Sequence, residues 1–231
     1  MSNFEYLLEK NINERQSALF EIERMIFTKR YNLSKKHREI LSIQSISMIY
    51  SIWEGFIQTS FNLFIDEINS RDIEPHLIEE NLFVYHVEST FKQLKDYPEK
   101  HSRKVAFLYK LKEFFNNNRF KLNNGIRTQN NVSFEILNAI LKSFCLEPFP
   151  EQWNYYSYPN SNLKEMLTSF LKYRNSVAHG GDISSEEKVT QDVFFKYKKL
   201  ILDLMYEMQL KMIESANNQM YIKRTNTNHI I

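Results

Sequence analysis

The sequence predicts an all-α, single-domain helical bundle with two long helices and several shorter ones. Three observations predict it. Apolar residues recur at steps of three and four through most of the 231 residues. Glycine occurs 4 times and proline 5 times, which leaves no room for turn-dense β-sandwiches or glycine-rich phosphate loops. Capping residues stand where the apolar stripes begin. The 18 Phe and 13 Tyr predict a core filled with rings.

Residues 3–31 carry Phe4, Leu7, Leu8, Leu19, Ile22, Met25 and Ile26 at helical spacing. Ser34 offers a cap for the next helix, 35–69. There Ile40, Ile43, Ile46, Ile49, Trp53, Phe56, Ile57, Phe61, Phe64, Ile65 and Ile68 sustain the period, and Ser42, Ser45, Ser47, Ser51 and Ser60 admit a close neighbour. Pro75 suits a first helical position. Residues 75–94 read as a helix, with a strand as the alternative around Leu82-Phe83-Val84-Tyr85. Residues 102–116 are helical, and the Asn-rich stretch 117–132 around Gly125 is a loop. Ser133 or Asn131 caps a helix through Phe144, and 147–160 is an extended aromatic loop. Asn162 with Glu165 forms a capping-box-like start for a helix ending at Gly180-Gly181. Ser184 with Glu187 forms another, ahead of the last long helix. A helical domain over 1–214 and a polar, flexible tail over 215–231 follow from the change in composition.

Net charge is +2, which selects no partner. The segment 92–127 differs. Lys92, Lys95, Lys100, Arg103, Lys104, Lys110, Lys112, Arg119, Lys121 and Arg127 face only Asp96, Glu99 and Glu113. That segment is either a solvated surface or an electrostatic footprint for phosphates. The single Cys145 excludes an internal disulfide and a cysteine zinc finger, and it reads as a small core residue in a reducing compartment. No signal-peptide pattern and no apolar run of about 18 residues is read, so the expected setting is cytoplasmic and off the membrane. The six histidines include no i, i+4 pair, and no motif calls for a metal or a cofactor.

Chemistry concentrates in Tyr173-Arg174-Asn175-Ser176-Val177-Ala178-His179-Gly180-Gly181. A glycine after the last turn leaves His179 beside the carbonyl end of its helix. The partial negative charge there favours imidazolium, so a His at that position titrates near neutrality. Asn175 lies four residues before His179 and shares its face. Arg174 can hold a phosphate while His179 moves a proton, which is the minimum set for cleaving RNA. A well-capped helix end without chemistry uses the same residues. Glu54, between Trp53 and Gly55, is either a tie between elements or an accessory to Arg174 and His179. The rings of 149–158 either stack bases or plug the bundle.

Arg174-Asn175-x-x-x-His179 resembles the Arg-x4–6-His motif of the HEPN superfamily. Three further stretches resemble a prokaryotic HEPN subgroup, in the same order: Ile52-Trp53-Glu54-Gly55-Phe56, Asn131-Val132-Ser133-Phe134-Glu135-Ile136-Leu137, and Ala178-His179-Gly180. The resemblance spans about 50–181. It implies an all-helical, commonly dimeric fold and a metal-independent endoribonuclease of toxin–antitoxin or phage-defence systems. RNA is then the substrate, and a cognate antitoxin or defence protein a partner. It carries Arg174 to phosphate, His179 to proton transfer and Asn175 to support. The same family implies an alternative, a non-catalytic module for dimerisation or for binding a protein or nucleotide. A homodimer with helix 162–180 in its interface is expected, because Met166, Leu167, Phe170, Leu171 and Tyr173 exceed one apolar stripe.

Overall fold

A computed structural model describes residues 2–116, 120–126, 128, 131–153, 161–178 and 189–224, with the backbone alone at 161 and 178. Among the described residues seven α-helices form one bundle: α1 Asn3–Phe27, α2 Lys35–Asn69, α3 Glu80–Thr90, α4 His101–Phe115, α5 Phe134–Ser143, α6 Leu163–Ala178 and α7 Gln191–Asn218. Short 3₁₀ turns stand at Pro75–Leu77 and Lys92–Leu94. Two-residue strands, β1 Gln152–Trp153 and β2 Ser161–Asn162, pair antiparallel.

The caps follow the local chemistry. Ser2 and Glu5 form a reciprocal capping box on α1, and Ser34, Ser133 and Thr190 each accept from a backbone N–H in the first turn of α2, α5 and α7. Asn162 accepts from the Glu165 N–H at 3.0 Å and donates to its carboxylate at 3.3 Å, holding the start of α6. The Ser184–Glu187 box and the Gly180-Gly181 stop lie outside the described residues.

α2 is the axis, packed against α1, α6 and α7. Trp53, Phe56, Phe61 and Phe64 on it are fully buried, and Phe61 meets Phe144 at 4.9 Å between ring centroids. α2 is long and apolar enough to cross a membrane by length and composition alone, a test that a buried core helix also passes. Its serines are polar interruptions, but Ser42 and Ser51 return their hydroxyl protons to the carbonyls one turn back, so they sit in an apolar helix at little cost. Asn11 donates to Ser60 across the α1–α2 contact at 3.0 Å. Gly55 brings α2 close to a side chain rather than to another backbone: a Cβ there would stand 3.2 Å from the Arg15 guanidinium. Lys198 of α7 is buried, ion-paired with Glu23 of α1 and set over the Phe20 ring.

The helix expected within 75–94 forms, with narrower bounds, and the reading of the C-terminal stretch changes. The 75–94 stretch is α3 with a 3₁₀ turn on each side, not a strand, because its buried residues, Leu82 and His86, are four apart. The polar stretch from 215 is ordered as far as Arg224. Ser215, Ala216 and Tyr221 are buried, the Tyr221 carbonyl accepts from the Glu79 N–H, and the Lys223 N–H donates to the Leu77 carbonyl. The final seven residues of the chain lie outside the described set.

His86 sits between the rings of Phe114 and Phe120, at 5.0 and 4.7 Å. Burial lowers its pKa from 6.5 to about 4, so the imidazole is neutral in the fold. The unfolded chain therefore binds one more proton between pH 6.5 and 4, and stability falls as pH drops through that window before levelling below it. The loss is on the order of 3 kcal/mol. His86→Phe should flatten that portion of a stability–pH curve measured by urea unfolding; an unchanged curve would contradict it.

Candidate active site

α2 carries a polar stripe along one flank, and the loop after α4 is laid on it. Asn69 accepts from the Leu122 N–H at 2.8 Å and donates to the Leu122 carbonyl at 3.0 Å. Asp66 accepts from the Asn124 amide at 3.3 Å, and Asn62 from the Gly125 N–H at 2.9 Å. Gly125 turns the loop at φ 97°, which a side chain would strain. Glu54 then accepts from the Thr128 hydroxyl at 2.8 Å, and the Tyr50 phenol oxygen from the buried Val132 N–H at 2.9 Å. From Asn69 back to Tyr50, α2 satisfies the loop's polar groups in order.

Arg174 meets the end of this seam. Its guanidinium lies over the Tyr50 ring, 4.2 Å from the centroid. Phe170, one turn earlier on α6, packs on Tyr50 at 5.9 Å and stacks on Tyr197 of α7 at 4.8 Å. These contacts fix the helix that carries Arg174. Tyr50 is buried, and burial raises its pKa above the usual phenol value, so it is neutral. Glu54, one turn along α2, adds negative charge beside it. A half-buried planar cation stacked on a ring is held in a fixed orientation.

The structure thus brings Arg174 and Glu54 together around Tyr50. Asn175 is exposed on another flank of α6, lining a shallow cavity with Ser133, Glu135, Thr168, Leu171 and Ser176. His179 lies outside the described residues. Tyr50, Thr128 and Val132 were missed by sequence reasoning, although the i, i+4 spacing of Tyr50 and Glu54 marks a shared face. The apolar excess on α6 finds a different use from the one expected. Met166, Leu167, Phe170 and Leu171 are buried inside the chain, and Tyr173 packs on Tyr197 at 5.9 Å, so they offer no spare surface for a partner copy. Exposed apolar side chains stand on α4 instead, at Val105, Leu108, Tyr109 and Phe115.

Other candidates drop away. Burial, with the Glu79 charge second, raises the Cys145 thiol to about 11, which keeps it protonated and unreactive at neutral pH. Phe149 is buried, edge-on to Trp153 at 5.5 Å, and its backbone is bracketed by the Asn138 amide, so this part of the aromatic loop plugs the bundle. The tyrosines at 155, 156 and 158 lie outside the described residues. Among the described residues no three His, Cys, Asp or Glu side chains converge as a metal-ligand set.

Tyr50→Phe should cost about 1–3 kcal/mol in urea unfolding, because it leaves the Val132 N–H buried without its acceptor. The ring that seats Arg174 remains, so the packing of α6 on α2 should be unchanged. Tyr50→Leu removes the ring as well and should cost more; equal unfolding midpoints for the two variants would deny the ring a role.

No similar chain was found among curated proteins or among solved structures. A family model, that of the MAE_28990-like HEPN proteins, matches residues 4–221, from the first turn of α1 to the buried Tyr221. The match takes in α2, the clamped loop and α6 together, and with the all-helical bundle it places this chain in the MAE_28990-like HEPN family.

Proposed function

We propose that the chain is an endoribonuclease that cleaves RNA by transesterification without a metal ion. The observation that carries the reading is Arg174, stacked on Tyr50 in α6 five residues before His179. A 2′-hydroxyl oxygen attacks the adjacent phosphorus while its proton passes to a base. The bond from phosphorus to the 5′ oxygen breaks, and that oxygen takes a proton from an acid. The products are a 2′,3′-cyclic phosphate and a 5′-hydroxyl end. Arg174 stabilises charge on the phosphorane oxygens, and His179 transfers a proton. Asn175 supports His179 from one turn earlier. Glu54 is a positioning residue, holding Thr128 and with it the loop that borders Arg174.

One Arg–His pair provides one proton-transfer group, whereas the reaction needs a base and an acid. A homodimer in which two copies of 174–179 face one cleft provides both. Sedimentation at micromolar concentration tests that part, and a monomer with full activity contradicts it. The reading further includes a cytoplasmic toxin or defence effector with a cognate antitoxin or defence protein as partner.

Cleavage should survive EDTA and show a limb within about one unit of pH 6.5. Loss on chelation with recovery in Mg²⁺ would contradict the mechanism.

A further inference from the structure

A second feature lies away from α6. Pro75, Phe83, His86, Thr90, Phe114, Phe115, Phe120, Lys121 and Asn123 enclose an open cavity of about 250 Å³ between α3, α4 and the start of the clamped loop. None of these residues touches Tyr50, Glu54 or Arg174 in the interactions described above. The size falls just short of the ~300–1,000 Å³ of pockets for drug-sized ligands, so it suits a single ring system.

The lining has three kinds of group. Phe83 and Phe115, 6.0 Å apart, and Phe114 provide ring faces. The Asn123 amide, which donates to the Thr90 hydroxyl at 3.1 Å, provides polar edges. His86 is buried, and its Nδ1 has no hydrogen-bond partner among the described residues. A buried ring nitrogen without a partner is costly in a folded chain unless a ligand or solvent meets it.

One cation lines the opening, and others stand on the helix that carries its rings. Lys121 lines it. Lys110 stands four residues before Phe114 and Lys112 three before Phe115, so both lie beside the cavity-lining rings on α4. Arg103 and Lys104 continue along the same helix. From 103 to 112 this basic run covers about 14 Å, too long for one phosphate group. Glu113 is the one anion on α4. Phe115 is more than half exposed, so its ring is open to a ligand.

We propose that this cavity takes one base of a single-stranded nucleic acid, stacked on Phe115 and Phe114, while Lys110, Lys112 and Lys121 follow the flanking phosphodiesters. Such a site is an exosite that grips the strand apart from Arg174. It deepens the ribonuclease reading, since it supplies the substrate contact for which the near-neutral net charge gives no global attraction. Stacking is indifferent to base identity, so affinity rather than sequence choice is the expected contribution.

The test measures binding of fluorescent 12-residue oligonucleotides, RNA and DNA, to the full chain carrying His179→Ala, with EDTA present. Phe115→Ala should weaken binding about 5- to 100-fold. Lys110→Gln, Lys112→Gln and Lys121→Gln should each reduce the slope of log affinity against log salt by about 0.7. Preference for RNA, or equal binding of RNA and DNA, supports the site and identifies the strand it serves. Cleavage of a dinucleotide by the Phe115→Ala chain with His179 intact should match the wild-type rate, because so short a substrate needs no exosite. That arm separates the two readings: an inactive wild-type chain that still binds strands through Phe115 defeats the ribonuclease and spares the exosite. Unchanged 12-mer binding in Phe115→Ala and the lysine variants overturns the proposal. So does equally tight binding of a mononucleotide, and so does a Phe115-dependent protein complex in the absence of strand binding.

Discussion

Replacing His179 by alanine is expected to slow RNA cleavage on the order of 10²–10⁴-fold. The expectation rests on the Arg174–His179 spacing and on the settings of the histidines the structure describes. Among the described histidines, His86 is buried and held neutral down to about pH 4, His76 pairs with Glu74 on an exposed turn, and His37 and His101 are exposed in the first turns of α2 and α4. Cys145 is held protonated. His179, five residues after Arg174 in the sequence, is the proton-transfer group of the proposed mechanism. The unfolding midpoint of the variant is the control that separates lost chemistry from lost fold. A variant with wild-type rates would remove the catalytic His from the account.

Arg174→Lys should lower cleavage on the order of 10²–10³-fold while changing stability by no more than about 1 kcal/mol. Lysine keeps the charge and can still lie over Tyr50. It lacks the planar fork that binds two phosphate oxygens at once, and it lacks the flat face that the Tyr50 ring orients. The contrast is sharper than for alanine, which removes both the charge and the packing. A lysine enzyme of wild-type activity would make Arg174 a structural cation that covers Tyr50.

Much of this was legible in the sequence. The bounds of α2 follow from Ser34 and from the unbroken apolar period to Ile68. Ser133 and the Asn162–Glu165 pair mark the starts of α5 and α6 by chemistry local to each cap. The clamp was not legible. Tyr50, Asn62, Asp66 and Asn69 bond to residues more than fifty positions away, and such pairings leave no period in the chain. Glu54 was readable only as a carboxylate needing a partner, and the partner, Thr128, came from a loop. The fate of the α6 apolar face was also out of reach. Whether Leu167 and Phe170 cover a neighbouring helix or a second chain depends on where α7 docks, and Tyr197 decides it in favour of the helix. Tyr221 shows the same limit, since one buried ring anchors a stretch whose composition is polar.

The central claim is a chemical one, and the ends of the cut RNA test it most directly. Purified chain incubated with tRNA and mRNA in EDTA should leave 2′,3′-cyclic phosphate and 5′-hydroxyl ends, and these should disappear with His179→Ala. Intact RNA, or fragments bearing 5′-phosphate ends that form only when Mg²⁺ is added, would contradict it.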